Sequence, residues 1–171
     1  MTTPAETAPF LAACAVLAVA GAAKLYRPDD TARALAVAGL PHHRRLVRVG
    51  AVGEIAVAVA AVAAPGAVTG ALVAAAYAAF TLFVGAALLR HWPLSSCGCF
   101  GRPDARPTYK HLALNVGALA TALWWAVGAP AGVGALFAHS PWKGGPLVLV
   151  TLVISGLAYL VWTDPRPSLS R

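Results

Sequence analysis

Charged residues are scarce in this chain of 171 residues: they make up 11% of it, and only six are acidic. Soluble domains usually carry about a quarter charged residues, so a soluble domain is excluded. The 59% of hydrophobic residues and the mean hydropathy of +0.71 indicate an integral membrane protein instead. The sequence has neither a nucleotide-binding glycine loop nor a hydrolase triad, which removes the corresponding enzyme classes.

Cysteine is also scarce, with three in the chain. Two of them, Cys97 and Cys99, are one residue apart at the exit of a long apolar segment, and the third, Cys14, lies inside another. Cys14 is expected to be a small packing residue. A membrane oxidase that relays electrons between two cysteine pairs needs four cysteines, one more than this chain has. Any electron acceptor must therefore meet the Cys97/Cys99 pair directly, and a quinone is a candidate acceptor.

Long hydrophobic runs predict an all-α membrane bundle of four core transmembrane helices plus a fifth. Each run supplies the roughly 20 residues that a spanning helix needs, so residues 1–171 are expected to form a single transmembrane domain. Because no positive side chain precedes the first run, it predicts an uncleaved helix rather than a signal peptide. The predicted spans are about 9–25, 46–64, 67–89, 111–127 and 146–162.

Between the first two spans, residues 29–40 predict a short amphipathic helix on the membrane surface, with Pro28 at its start and Gly39 at its end. Aromatic residues near both sets of span ends predict interfacial belts. One belt would contain Trp92, Tyr109 and Trp162, and the other Phe10, Trp125 and Trp142.

Positive charge is concentrated on one side of the predicted bundle. Because successive spans cross the membrane in alternate directions, three segments lie on that side: the connection 24–48, the connection 90–110 (the cysteine loop) and the tail after Trp162. Together they hold twelve of the 13 Lys and Arg residues. The positive-inside rule places this side in the cytoplasm, in a multi-pass protein of the cell (inner or plasma) membrane. The net charge of +7 then reflects topology and anionic lipid headgroups, and no nucleic-acid-binding motif accompanies it.

The Cys97-Gly98-Cys99 sequence allows three kinds of chemistry. Gly98 lets the backbone fold the two sulfurs together, and a disulfide closed across one residue would be strained and easily reduced. Nearby cations, Arg102 among them, favour the thiolate. A soft-metal site with Cys97, Cys99 and a third ligand such as His91 is the second possibility. Two inert thiols in a reducing cytoplasm are the third.

Two further groups of polar residues lie inside predicted spans. Glu54 is on the order of 9 Å below the interface, where a carboxylate needs a partner, and Lys24 can reach it from the same side. Such a pair could lock two spans together or accept protons released by thiol oxidation. His111 and Asn115 share one helix face at the start of the fourth span. Asn115 could position the cysteine loop or bond to a neighbouring helix, whereas His42 and His43 are expected in a solvated headgroup patch.

Five features along the chain match those of one known family: Gly21-x-x-Lys24, Gly39-Leu40-Pro41, Glu54, Cys97-Gly98-Cys99-Phe100-Gly101 and Asn115. On these features the chain resembles the methylamine utilisation protein MauE family, within the broader group of small DoxX-like membrane proteins. The resemblance implies a role in maturing a disulfide-rich exported quinoprotein subunit of the methylamine dehydrogenase type, alongside a thioredoxin-like partner.

Two functions are consistent with these features. The first is a membrane thiol–disulfide redox protein in which Cys97 and Cys99 carry electrons, supported by Lys24, Glu54 and Asn115. The second is a non-enzymatic membrane subunit or a copper- or zinc-handling module that uses the same loop.

Overall fold

The computed structural model describes residues 4–94, 107–128, 151 and 155–156. These residues form five α-helices and no strand, and four of the helices are long and apolar enough to cross a bilayer. The predicted all-α membrane bundle is thereby confirmed. The helices are α1 (Pro4–Tyr26), α2 (Pro28–Val37), α3 (Arg44–Ala63), α4 (Ala67–Leu89) and α5 (Tyr109–Gly128).

The predicted spans correspond to α1, α3, α4 and α5. The bounds of the last three agree within two residues, whereas α1 begins five residues earlier because the helix continues through Pro9. The fifth predicted span, 146–162, lies mostly outside the described residues; residues 151, 155 and 156 within it are helical.

α1 is the central helix of the described bundle. Of its membrane-spanning residues 56% are buried, against 22–28% in the other three spans. It packs mainly on α3, α4 packs mainly on α5, and smaller contacts of α1 with α5 and of α3 with α4 join the two pairs. The Tyr77 hydroxyl of α4 donates a buried hydrogen bond of 2.7 Å to the Ala13 carbonyl oxygen of α1. Large apolar side chains such as Leu82 and Val127 face outward, as lipid contact requires.

Two glycines allow the helices in each pair to approach closely. A Cβ atom on Gly21 of α1 would lie 2.8 Å from the Ala51 carbonyl oxygen of α3. A Cβ atom on Gly70 of α4 would lie 3.0 Å from the Ala126 backbone nitrogen of α5, while Gly66 has open space at its Cβ position. Gly66 and Gly70 are spaced as in a Gly-x-x-x-Gly motif, and Gly70 serves a helix contact within this chain.

The interfacial belt predicted for Phe10 and Trp125 is wrong. Both side chains are buried, and their rings stack with centroids 4.4 Å apart and planes 1° from parallel. They fill the space between α1 and α5 in a core otherwise rich in alanine. The neighbouring Trp124, which is 69% exposed, faces outward at that end of α5.

Candidate functional site

Lys24 and Glu54 form a partly buried ion pair between α1 and α3, as predicted. The Lys24 Nζ atom lies 2.6 Å from Oε1 and 2.7 Å from Oε2 of Glu54. Their side chains are only 6% and 16% exposed. Gly21 precedes Lys24 by one helical turn and faces α3, with its Cβ position 3.4 Å from the Glu54 Cβ atom. The small residue lets the two helices come close enough for the pair to form.

An aromatic ring completes the surroundings of the ammonium group. The Lys24 Nζ atom lies 4.3 Å from the centroid of the Phe80 ring on α4, within the range of a cation–π interaction. A charge that has lost its water is tolerated only when other groups replace the water. The Glu54 carboxylate and the Phe80 ring together surround the Lys24 ammonium group inside the bundle.

The ion pair lines a cavity of about 190 Å³. Among the described lining residues, Lys24 and Glu54 alone carry charge, so the lining is apolar apart from one neutral pair and Thr31. The remaining lining residues are Ala34 and Leu35 of α2, Leu46, Val47 and Gly50 of α3, and Phe80 and Phe83 of α4.

The amphipathic helix α2 forms one wall of this cavity. Its buried side includes Ala32 and Ala34, and Asp29 in its first turn pairs with Arg44 at the start of α3. The helix ends in a Schellman motif: Gly39 has φ +71°, and the Leu40 N–H donates to the Leu35 carbonyl oxygen. Gly39-Leu40-Pro41 therefore turns the chain from α2 into α3.

The chain turns sharply at the end of α4, just before the cysteines. His91 has φ +49°, and the Trp92 N–H donates to the Ala87 carbonyl oxygen, so a histidine occupies the position that glycine usually takes in a Schellman motif. Leu94 is then buried in a small cluster with Ala34 and Ala87. The Trp92 ring contacts the Phe83 ring at a centroid distance of 5.8 Å.

These contacts attach the start of the cysteine loop to the wall of the cavity, since Ala34 and Phe83 line the cavity and also contact the residues that begin the loop. Cys97, Cys99 and Arg102 themselves lie outside the described residues. Three peptide units separate Leu94 from Cys97, so their Cα atoms are at most about 11 Å apart.

His111 and Asn115 are both buried at the start of α5. The Thr108 N–H donates to His111 Nδ1 at 3.2 Å, and the Thr108 hydroxyl lies 2.7 Å from the same nitrogen. The ring of His111, at the third helical position, therefore caps the Thr108 N–H at the start of α5. Because Nδ1 accepts a backbone N–H, the ring proton of neutral His111 is on Nε2. Neither residue belongs to the described lining of the Lys24–Glu54 cavity.

The other candidate residues lie apart from this cavity. Cys14 is buried in the central core, as its predicted packing role requires. His42 and His43 are exposed, and His91 is exposed at the end of α4. In the part of the chain that the structure describes, no three His, Cys, Asp or Glu side chains are grouped so that they could hold a metal ion.

Sequence reasoning missed the aromatic part of the site. Tyr77, Phe80 and Phe83 recur every three residues on α4, and this spacing places them along one side of the helix. Phe80 contacts Lys24, and Phe83 lines the cavity. The spacing of these three rings was a usable signal, whereas nothing in the sequence indicated that Gly50 would leave the cavity open on α3.

Comparison with known proteins identifies the family. A family model described as methylamine utilisation protein MauE matches residues 1–128, which include α1 to α5 and the Cys97-Gly98-Cys99 sequence. No curated protein and no solved structure matches the chain. With three quarters of its length covered by the family and four helices able to span a membrane, this multi-pass membrane protein belongs to the MauE family of methylamine utilisation proteins.

Proposed function

We propose that this protein is a membrane thiol–disulfide redox protein in which Cys97 and Cys99 alternate between dithiol and disulfide. Membership of the MauE family associates the chain with methylamine utilisation. In this proposal the pair supports disulfide formation or maturation of a partner protein of the methylamine dehydrogenase type. A thioredoxin-like protein would exchange disulfides with it.

The observation that carries this proposal is the anchoring of the cysteine loop on both sides. On one side Leu94 is buried against α2 and α4, and on the other His111 caps the first turn of α5. A reactive pair must be held where partners can reach it, and residues on rigid elements hold it better than a free linker. Both anchors lie at the end of the bundle where α1 ends and α3 begins, with Lys24 in the last turn of α1.

The chemistry needs an acceptor for two electrons and two protons. When the Cys97 and Cys99 thiols join, one S–S bond forms, and two protons and two electrons leave. Arg90 and Lys110 at the ends of the loop, together with Arg102, would favour the thiolate that starts the exchange.

The remaining residues take supporting roles in this proposal. The Glu54 carboxylate, paired with Lys24, would accept hydrogen bonds or protons beneath the loop. Asn115 and His111, one turn apart on α5, would hold the returning end of the loop in place. The positive-inside rule assigns the loop to the cytoplasm, so the pair would act on proteins on that side and would not oxidise an exported protein directly.

The test is alkylation of Cys97 and Cys99 after equilibration of a Cys14→Ser variant in glutathione buffers of graded potential. We expect reversible conversion at a potential above that of structural disulfides, because closing a ring across Gly98 strains the bond. Single Cys97→Ser and Cys99→Ser variants should show no such intramolecular transition. A pair that stays reduced in strongly oxidising buffer contradicts the proposal, and stoichiometric Cu(I) or Zn(II) lost on Cys97→Ser would then support the soft-metal function.

A further inference from the structure

We infer that the cavity lined by Lys24 and Glu54 binds the head group of a membrane quinone, the acceptor of the electrons from the cysteine pair. The inference rests on the proposed function, which requires an oxidant but does not locate its site. Four observations support it: the net charge of the lining, its hydrogen-bonding groups, its rim and its position beside the cysteine loop.

The net charge of the described lining favours a neutral ligand. Lys24 and Glu54 neutralise each other at 2.6 Å, and the other lining side chains are uncharged. The negative charge of Glu54 would repel a phosphate or a carboxylate, and the positive charge of Lys24 would repel a metal ion. The apolar walls and the rings of Phe80 and Phe83 suit a flat, uncharged ring.

The ion pair can serve both redox forms of a quinone. Two of the three Lys24 N–H groups bond to Glu54, so a third can donate to a quinone carbonyl oxygen. Each Glu54 oxygen accepts one bond from Lys24 and has a second lone pair that can accept a hydroquinone O–H. The oxidised ring only accepts hydrogen bonds, whereas the reduced ring also donates them. The same two side chains therefore match both forms.

The rim of the cavity gives a hydrophobic ligand a route from the bilayer. Leu46, which lines the cavity, is 49% exposed, and Gly50, one turn further along α3, is also exposed. Gly50 has no side chain to close the opening, and a Cβ atom there would meet nothing within 4 Å. An isoprenoid tail could thus stay in the lipid while the ring enters beside α3.

The position of the cavity places the acceptor near the donor. Ala34 lines the cavity and packs against Leu94, whose Cα atom is at most about 11 Å from that of Cys97. In the reaction the two thiols form one S–S bond while both quinone carbonyls become hydroxyl groups. Two electrons and two protons pass to the ring, so the atoms and charges balance.

The test measures binding without redox chemistry, in full-length protein that carries Cys97→Ser and is reconstituted in nanodiscs. The probe is decylubiquinone, and decylbenzene, which has the same chain without the quinone oxygens, is the control ligand. Gly50→Leu fills the cavity. Gly53→Leu is the matched variant because Gly53 is also exposed on α3, with open space at its Cβ position, but does not line the cavity.

We expect saturable binding of decylubiquinone that decylbenzene does not displace. Gly50→Leu should weaken it by at least about tenfold, and Gly53→Leu should leave it unchanged. The inference is overturned if the parent protein does not bind, if decylbenzene competes equally, or if both leucine variants bind alike. The glutathione titration of the cysteine pair needs no quinone. A redox-active pair without cavity binding therefore refutes this inference alone, whereas quinone binding beside an inert pair refutes the proposed function and leaves only the quinone site.

Discussion

Removing one partner of the Lys24–Glu54 pair should destabilise the protein strongly. In Glu54→Gln the Lys24 ammonium, whose side chain is 6% exposed, loses the carboxylate that binds it at 2.6 and 2.7 Å. An uncompensated buried charge costs on the order of 3 to 5 kcal/mol. Two features reduce this loss: the Phe80 ring still faces the ammonium, and Lys24 in the last turn of α1 can extend toward the interface.

For a chain of this size, 1 kcal/mol corresponds to roughly 2–4 °C in Tm. A loss of about 3 kcal/mol in Glu54→Gln should therefore lower the apparent Tm in detergent by roughly 6–12 °C. Lys24→Met combined with Glu54→Gln removes both charges and should recover part of that loss. Intrinsic fluorescence or a thiol-reactive dye during a thermal ramp, at a fixed heating rate, measures the Tm of Lys24→Met, Glu54→Gln and the double variant.

The exposed ion pair between Asp29 and Arg44 provides the matched control. Its side chains are 43% and 68% exposed, and such pairs contribute about 0–1 kcal/mol. Asp29→Asn should thus shift the Tm far less than Glu54→Gln. If Glu54→Gln shifts it no more than Asp29→Asn does, or if the double variant is no better than additive, then Lys24 and Glu54 are not coupled in the membrane protein.

Three other predictions concern backbone contacts and topology. Gly21→Ala should destabilise the bundle by about 1–3 kcal/mol, because its Cβ atom would lie 2.8 Å from the Ala51 carbonyl oxygen. Gly53→Ala should not destabilise it, because a Cβ atom at Gly53 would meet nothing within 4 Å. Equal Tm values for the two variants would refute the close contact at Gly21. His91→Gly should stabilise the protein by about 1 kcal/mol by relieving a residue at φ +49°, and a lower Tm would show that the His91 side chain stabilises the fold. In a Cys14→Ser background, a membrane-impermeant maleimide should miss the cysteine loop in intact reduced cells and label it in opened ones; labelling of intact cells would place the loop outside.

Hydropathy and local turn signals predicted most of the described fold. Four apolar runs of about 20 residues predicted the positions of α1, α3, α4 and α5, because a spanning helix must form its backbone hydrogen bonds within one apolar segment. Pro28 and Gly39 located α2, since one favours the first helical position and the other the left-handed turn after the last. Opposite charges at similar depth predicted the Lys24–Glu54 pair, because neither charge is stable alone in the bilayer.

The orientation of each helix about its axis was not predictable in the same way. In a membrane bundle the core and the lipid-facing surface are both apolar, so the sequence pattern does not separate them. Phe10 and Trp125 were therefore placed at an interface by their position near span ends, although they stack inside the bundle. The His111 ring likewise bonds locally, to the Thr108 N–H at the start of α5, and its spacing to Asn115 did not indicate this bond.

Gly21, Lys24 and Glu54 act as one structural unit, which explains why a glycine precedes the lysine by three residues. That spacing puts Gly21 and Lys24 on the same side of α1. The Gly21 Cβ position lies 2.8 Å from the Ala51 carbonyl oxygen, so any larger residue would push α3 away. Separating the helices would draw Glu54 away from Lys24 and change the cavity that the pair lines. Close helix packing and the chemistry of the site therefore depend on the same contact between α1 and α3.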